Sequence, residues 1–129
     1  MATLEASATQ ANLRVAFATE ILFSRRYRVY AERAEAEGNR VAAALFRIIS
    51  SRRCAHADAH LETLEPPDAY STAYHLRVAM MEENADLYPA MARKAHEEGL
   101  EDIALSFETF AKASRMHASR FRRALETMM

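Results

Sequence analysis

Five charged or titratable residues and one serine stand at helical positions where leucine or isoleucine is the usual choice. Four segments of the chain each carry an apolar stripe at alternating spacings of three and four, the periodicity of a buried helix face. Every stripe is apolar at its ends and interrupted by polar residues near its middle. The interruptions, in chain order, are Glu20, Arg53 with His56, Glu83, and Ser114 with His117.

These residue types suit two kinds of chemistry. Two imidazoles and two carboxylates can bind a single Zn²⁺, Fe²⁺ or Mn²⁺ ion, which predicts a metal site made of Glu20, His56, Glu83 and His117. A charge buried in a dry core is costly unless it is paired or binds a metal. The second interpretation is therefore an ion-pair network in which a buried Arg53 holds the glutamates.

Three more residues belong to this predicted polar layer. Ser114 stands one turn before His117, just as Arg53 stands one turn before His56. Tyr27 and Tyr88 either donate hydrogen bonds to the carboxylates or serve as ordinary packing aromatics. All of these residues meet at one level only if the four helices are antiparallel and of similar length.

The elements that must position these residues are long helices. The sequence has only two Gly and three Pro in 129 residues, a composition typical of helical proteins. Gly38, Pro66–Pro67 and Gly99 divide the chain into four segments, and each glycine stands where a helix would end. We predict an all-α single domain, residues 1–129, with its longest connection in the middle.

The two halves of the chain resemble each other at an offset of 61 residues, which indicates a duplicated helical hairpin. Two amphipathic hairpins that pack face to face form a four-helix bundle. The matching pairs include Tyr27 and Tyr88, Phe46 and Phe107, and His56 and His117.

Composition argues against several classes of partner. A net charge of −1 favours neither nucleic acid nor an acidic membrane surface, and no apolar run reaches the roughly 20 residues that span a bilayer. Cys54 is the only cysteine, which fits a reducing compartment, and the N-terminus lacks the order of a signal peptide. We therefore expect a cytoplasmic protein that binds neither nucleic acid nor membrane.

The chain resembles the rubrerythrin branch of the ferritin-like di-iron proteins over nearly its whole length. The stretch "ATEILFSRRY" supplies the first-helix Glu20 with a tyrosine seven residues later, and "MMEENADLYP" supplies Glu83 followed by Tyr88 and Pro89. The resemblance implies a ferritin-like four-helix bundle with a di-iron centre that handles peroxide, oxygen or iron.

The chain departs from the family pattern at the metal ligands. The family has Glu-x-x-His on the second and fourth helices, whereas here Arg53 and Ser114 replace the glutamates that bridge the two irons. Met80 replaces the first glutamate of the third-helix pair. We therefore do not expect a standard di-iron centre. The four cysteines of a rubredoxin-like electron-transfer domain are also missing, so we do not expect that domain.

Two functional hypotheses follow from the match and its departures. One is a rubrerythrin-like protein with a degraded centre that is non-catalytic or keeps a reduced metal site. The other is a metal-binding oxidoreductase that uses Glu20, His56, Glu83 and His117. We also expect a homodimer, because Leu22, Val29, Val78 and Leu105 fall on outer helix faces, and a long central connector would permit domain swapping.

Overall fold

The computed structural model describes residues 2–128, and every regular element within that range is an α-helix. The predicted all-α fold class is thus confirmed. Contacts divide the chain into two compact units, the first ending at Ala69 and the second beginning at Tyr70. That the chain forms one domain over residues 1–129 stays a prediction, and its two terminal residues lie outside the described range. The helices are α1 (Ala8–Ala36), α2 (Arg40–Leu64), α3 (Thr72–Asn84), α4 (Tyr88–Glu97) and α5 (Glu101–Glu126).

The first unit is a helical hairpin of α1 and α2, which turns at Gly38. This glycine has a φ of 82°, a left-handed conformation that a residue with a Cβ atom adopts at a cost. Its N–H donates to the Glu35 carbonyl at 2.9 Å, and the Asn39 N–H donates to the Ala34 carbonyl at 2.8 Å. The Asn39 side chain then accepts from the Ala42 N–H at 3.1 Å and caps α2.

The second unit is a hairpin in which α3 and α4 both pack on α5. It turns at Gly99, whose φ is 76°. The Gly99 N–H donates to the His96 carbonyl at 3.0 Å, and the Leu100 N–H donates to the Ala95 carbonyl at 2.9 Å. The same backbone motif therefore closes both hairpins at the two positions that the sequence repeat predicts.

Every buried position of the first hairpin is also buried in the second, which confirms the predicted duplication. Small residues at these positions let the paired helices approach closely. The buried residues of the first hairpin are Ala31, Ala34, Ala43, Ser50 and Ala57, and their buried counterparts 61 residues later are Ala92, Ala95, Ala104, Ala111 and Ala118.

An aromatic pair repeats across each hairpin in the same way. The rings of Tyr27 and Phe46 lie 6.0 Å apart in the first hairpin, and those of Tyr88 and Phe107 lie 6.0 Å apart in the second. The repeat therefore preserves a packing contact as well as the buried backbone positions.

The third predicted helix is divided in the structure, which corrects the stripe predicted across it. α3 ends at Asn84 and α4 begins at Tyr88, with Pro89 in its first turn. Proline has no N–H to donate to the preceding turn and its ring clashes there, so a helix restarts at this point more readily than it continues. Leu87, which precedes Tyr88, is consequently an exposed residue of the connection.

One further property of the helices bears on membranes. Across residues 2–128, we find no helix whose length and apolar character are sufficient to cross a bilayer.

Candidate functional site

The first hairpin brings Glu20 together with Arg53 and His56. Glu20 lies on α1, and the other two lie one turn apart on α2, facing it across the hairpin. The Arg53 Nη1 donates to Glu20 Oε1 at 3.0 Å, whereas the His56 Nδ1 lies 3.5 Å from Glu20 Oε2. The Glu20 side chain is only 13% exposed, against 35% for Arg53. Arg53 is thus half-buried rather than buried as the sequence predicted. Its long side chain can reach the buried carboxylate while part of it stays in contact with solvent.

The second oxygen of Glu20 has no hydrogen-bond partner. Glu20 Oε2 is buried, and within residues 2–128 it is the one buried side-chain N or O atom without such a bond. A buried acceptor left unpaired is costly, so this atom is where a ligand or a proton would be stabilised. The His56 Nδ1 atom lies 3.5 Å from this oxygen.

Arg53 is fixed by an aromatic ring as well as by a carboxylate. Its guanidinium carbon lies 5.0 Å from the centre of the Phe23 ring, a favourable cation–π distance. The Tyr27 ring stacks on Phe23 with centroids 5.7 Å apart and also contacts Phe46. Tyr27 therefore acts here as a packing aromatic that supports the ring beneath Arg53.

A pair of serines joins the same two helices one turn away from Glu20. The Ser24 hydroxyl donates to the Ser50 carbonyl at 3.0 Å, and the Ser50 hydroxyl donates to the Ser24 carbonyl at 2.7 Å. These reciprocal bonds fix the register between α1 and α2. They thereby hold Glu20 opposite Arg53.

The second hairpin has its own carboxylate–imidazole pair. His117 Nδ1 of α5 lies 3.3 Å from Glu83 Oε2 of α3, a hydrogen-bond distance. Ser114, one turn before His117, is buried. No cation occupies the position that Arg53 has in the first hairpin, because Ser114 is its counterpart in the repeat.

A groove of about 470 Å³ runs along the second hairpin beside this pair. Tyr88 lines it and packs its ring 5.5 Å from that of Phe110, so it too has a packing role. The groove is lined by the acidic residues Glu82, Glu83 and Asp86, the polar residues Ser114 and His117, and the apolar or aromatic residues Ala79, Tyr88, Phe110, Ala113 and Phe121.

The four predicted metal ligands thus form two pairs, one in each hairpin. Glu20 is beside His56, and Glu83 is beside His117. Within residues 2–128, no group of three or more His, Cys, Asp or Glu side chains has the arrangement of a metal site. That the two pairs meet around one ion stays a prediction.

Comparison with known proteins identifies the family. The Rubrerythrin family model matches residues 11–72 and 75–129. This chain belongs to the rubrerythrin family. A rubrerythrin of Porphyromonas gingivalis is 34% identical over 133 residues. Rubrerythrin of Nitratidesulfovibrio vulgaris and rubrerythrin-1 of Clostridium acetobutylicum are each 27% identical, over 135 and 146 residues respectively.

The match covers most of this chain but only part of its relatives. The alignment with the Porphyromonas rubrerythrin spans 92% of this chain and 66% of that protein, slightly under two thirds. The corresponding shares are 94% and 71% for the Nitratidesulfovibrio protein, and 99% and 75% for the Clostridium protein.

The first hairpin does not fit the two-metal centre that the rubrerythrin resemblance implies. Two cations roughly 3.5–4 Å apart need anionic bridges to offset their repulsion. The bridging position on α2 carries Arg53, whose guanidinium is permanently charged and already donates to Glu20 Oε1. A second metal ion would have to displace that hydrogen bond and lie beside a cationic side chain.

The sequence prediction missed a histidine that bridges two glutamates in this rubrerythrin-family chain. His96 Nδ1 lies 2.6 Å from Glu101 Oε2, and His96 Nε2 lies 2.8 Å from Glu108 Oε1. These hydrogen bonds, the one with Glu108 foremost, raise the pKa of His96 above its ordinary value.

The repeat itself contains the signal that would have revealed this bridge. At the 61-residue offset, His96 and Glu108 correspond to Glu35 and Arg47, which form an ion pair across the first hairpin. Both hairpins thus have a charged pair at this position. The glutamate lies on the first helix of the pair in one hairpin and on the second helix in the other.

Proposed function

We propose that this chain is a rubrerythrin-family protein whose di-iron centre is degraded, and that it works without two-metal chemistry. The observation that carries the proposal is the 3.0 Å hydrogen bond from Arg53 Nη1 to Glu20 Oε1. The Arg53 guanidinium neutralises the Glu20 carboxylate, whose negative charge a pair of metal ions would require. The buried Ser114 supplies no charge on the other hairpin.

In the non-catalytic form of this proposal, the polar residues stabilise each hairpin and align its helices. Arg53 neutralises Glu20, and His117 donates to Glu83. Ion pairs between two helices restrict how those helices can align, because a shifted arrangement would leave a charge without its partner. The protein would then act through its surface, as an interaction or regulatory module.

A second candidate function, a metal-binding oxidoreductase, is favoured by the unpartnered Glu20 Oε2. Rubrerythrins typically bind iron, and Glu20, His56, Glu83 and His117 would hold a single Fe, Zn or Mn ion. Such an ion would supply Lewis-acid chemistry or, if it is Fe or Mn, redox chemistry toward oxygen, peroxide or iron. The chain's own contribution would be to hold the ion with two carboxylates and two ring nitrogens while Arg53 keeps one Glu20 oxygen occupied.

We also propose that the chain forms a cytoplasmic homodimer, in which exchange of hairpins between copies is one route to pairing. Support comes from burial, since the described residues include no large side chain that is fully buried. Leu22, Val29 and Leu105 are exposed, and Val78 is half-buried. Apolar surface of this kind is stabilised when a second surface covers it.

Elemental analysis of untagged protein separates the two candidates. Protein purified from cells grown with Fe, Zn and Mn is measured directly and compared with Glu20→Gln and His117→Gln variants. Substoichiometric metal that neither substitution lowers supports the non-catalytic form. One ion per chain that both substitutions remove supports the single-metal site. Two ions per chain would contradict both forms of the proposal.

A further inference from the structure

A second groove lies between α4 and α5, with a volume of about 290 Å³. It shares no lining residue with the groove beside Glu83 and His117. Three cationic side chains, one carboxylate and a small apolar surface surround it. The lining residues are Pro89, Ala92, Arg93, Glu108, Ala111, Lys112 and Arg115.

The three cations of this groove are not matched by carboxylates. Arg93, Lys112 and Arg115 form no ion pair with any residue in the range 2–128. The buried Ala92 and Ala111 form its floor and leave space above the helix contact. Like charges around a concave surface focus a positive potential, which raises the local concentration of anions.

The one carboxylate of the groove is already bonded to a histidine. Glu108 Oε1 lies 2.8 Å from His96 Nε2, and the other ring nitrogen of His96 lies 2.6 Å from Glu101 Oε2. A ring nitrogen that faces a carboxylate donates to it, so both contacts are made at once only by the protonated imidazolium. In that state, the imidazolium, which is shared with Glu101, offsets part of the charge of Glu108, so Glu108 opposes an anion in the groove less strongly.

The other charged groups near His96 do not replace its contacts with Glu101 and Glu108. α5 presents Glu101 and Glu108 to it. On α4 itself, Arg93 stands one turn before His96, and Lys94 pairs with Glu97 at 3.7 Å. The two carboxylates raise the pKa of His96, which extends the protonated state to higher pH.

We propose that the α4–α5 groove binds a tetrahedral dianion, such as inorganic phosphate or the phosphoryl group of a phosphomonoester, and that protonation of His96 strengthens the binding. Arg93, Lys112 and Arg115 donate to the anion's oxygens. Loss of the His96 proton removes the cationic partner of Glu108. The freed carboxylate then competes for Lys112, which stands four residues later on the same face of α5.

The experiment uses sulfate as the first probe, because sulfate stays a dianion over the pH range in which histidine titrates. Calorimetric titration of the full chain at low, constant ionic strength should show saturable binding that is tighter at the lower pH. Lys112→Gln should weaken binding by roughly two- to fivefold, the effect of one exposed ion pair. Arg120→Gln removes the same charge from α5 outside the groove and should change it little. Equal weakening by the two variants would overturn the proposal.

A second pair of variants tests the role of the proton. Glu108→Gln removes the opposing carboxylate, so sulfate should bind at high pH as tightly as it does to the parent at low pH. Glu62→Gln, on α2, makes the same change in net charge and should keep the parent's pH dependence. A pH dependence in Glu108→Gln as large as that of the parent would contradict the coupling. Circular dichroism on every variant establishes that the helices are retained.

Displacement of sulfate distinguishes the sources of the dianion. Inorganic phosphate and glycerol phosphate are each titrated into the sulfate-bound protein, and amide shifts of Ala92 and Ala111 report where they bind. Displacement by phosphate alone indicates a site for the free ion, and displacement by both indicates a site for the phosphoryl group. Failure of both to displace sulfate, or shifts elsewhere only, would overturn the proposal.

Discussion

The two hairpins share a packing plan but differ in polar chemistry. Both turn at a left-handed glycine and bury small residues at positions 61 apart. In the first hairpin, Ser50 joins the helices by a hydrogen bond and Arg53 neutralises Glu20, whereas the equivalent residues of the second are Ala111 and Ser114. Close helix packing therefore fixes the small residues, while the polar positions beside them vary without changing the hairpin.

The largest effect is expected when the family's ligands are restored to both hairpins. The triple variant Arg53→Glu, Met80→Glu, Ser114→Glu replaces the cation by carboxylates that repel one another without metal, so the apo variant should be less stable than the parent. Added Mn²⁺ should stabilise it by about 2.7 kcal/mol at a hundredfold excess over the dissociation constant. Thermal unfolding with and without the ion measures both changes.

The parent protein is the control for that variant. It should respond to Mn²⁺ weakly or not at all, because Arg53 remains on Glu20. Equal metal responses in parent and variant would mean that the substituted positions do not converge on one site.

Removal of the cation alone tests why the first hairpin tolerates a buried carboxylate. Arg53→Met leaves Glu20 without its hydrogen-bond partner, and we expect a loss of about 1–3 kcal/mol in the free energy of unfolding. This is less than a fully buried pair would lose, because Arg53 is 35% exposed. Chemical denaturation measures it, and adding Glu20→Gln should recover part of the loss.

The exposed ion pair of the same hairpin provides a matched control. Arg47 pairs with Glu35, and both side chains are more than half exposed. Arg47→Met should therefore cost only about 0–1 kcal/mol. A loss for Arg53→Met no greater than that for Arg47→Met would show that Arg53 does not neutralise a buried charge.

Sequence patterns predicted the parts of this molecule that depend on local periodicity. Gly38 and Gly99 marked both turns, and the 61-residue repeat predicted that the chain consists of two equivalent hairpins. The break between Asn84 and Tyr88 was missed because helical periodicity alone does not show which residue before Pro89 leaves the helix. The contacts of His96 were missed because they depend on where side chains reach across a hairpin rather than on spacing along one helix.

A smaller effect is expected at the serine pair that distinguishes the hairpins. Ser50→Ala removes the 2.7 Å hydrogen bond to the Ser24 carbonyl and makes the position equivalent to Ala111. We expect a loss of about 0.5–1.5 kcal/mol, the usual net contribution of one hydrogen bond. Denaturant unfolding compares it with Ser106→Ala, an exposed serine of α5 that should have no measurable effect. Equal results for the two variants would deny the serine pair a stabilising role.

The smallest effect is a pH dependence confined to the second hairpin. The pKa of His96 is raised in the folded protein, so the stability it contributes is fully present below the unfolded value of about 6.5 and is lost as pH rises through the folded value. His96→Gln should remove this pH dependence of the free energy of unfolding, which denaturant unfolding curves recorded at several pH values measure. Arg47→Gln alters the equivalent ion pair of the first hairpin and should leave it in place. A parent whose stability is flat across that window would contradict the linkage.

Anaerobic loading with Fe²⁺ tests the degraded centre most directly. Untagged protein and the triple variant Arg53→Glu, Met80→Glu, Ser114→Glu are loaded, desalted, analysed for iron and then exposed to oxygen while the visible absorption is recorded. We expect the parent to retain at most one iron per chain and to develop no oxo-bridged di-ferric absorption, whereas the variant gains iron. Two tightly held irons per parent chain, with that absorption, would contradict the proposal that Arg53 has displaced the two-metal centre.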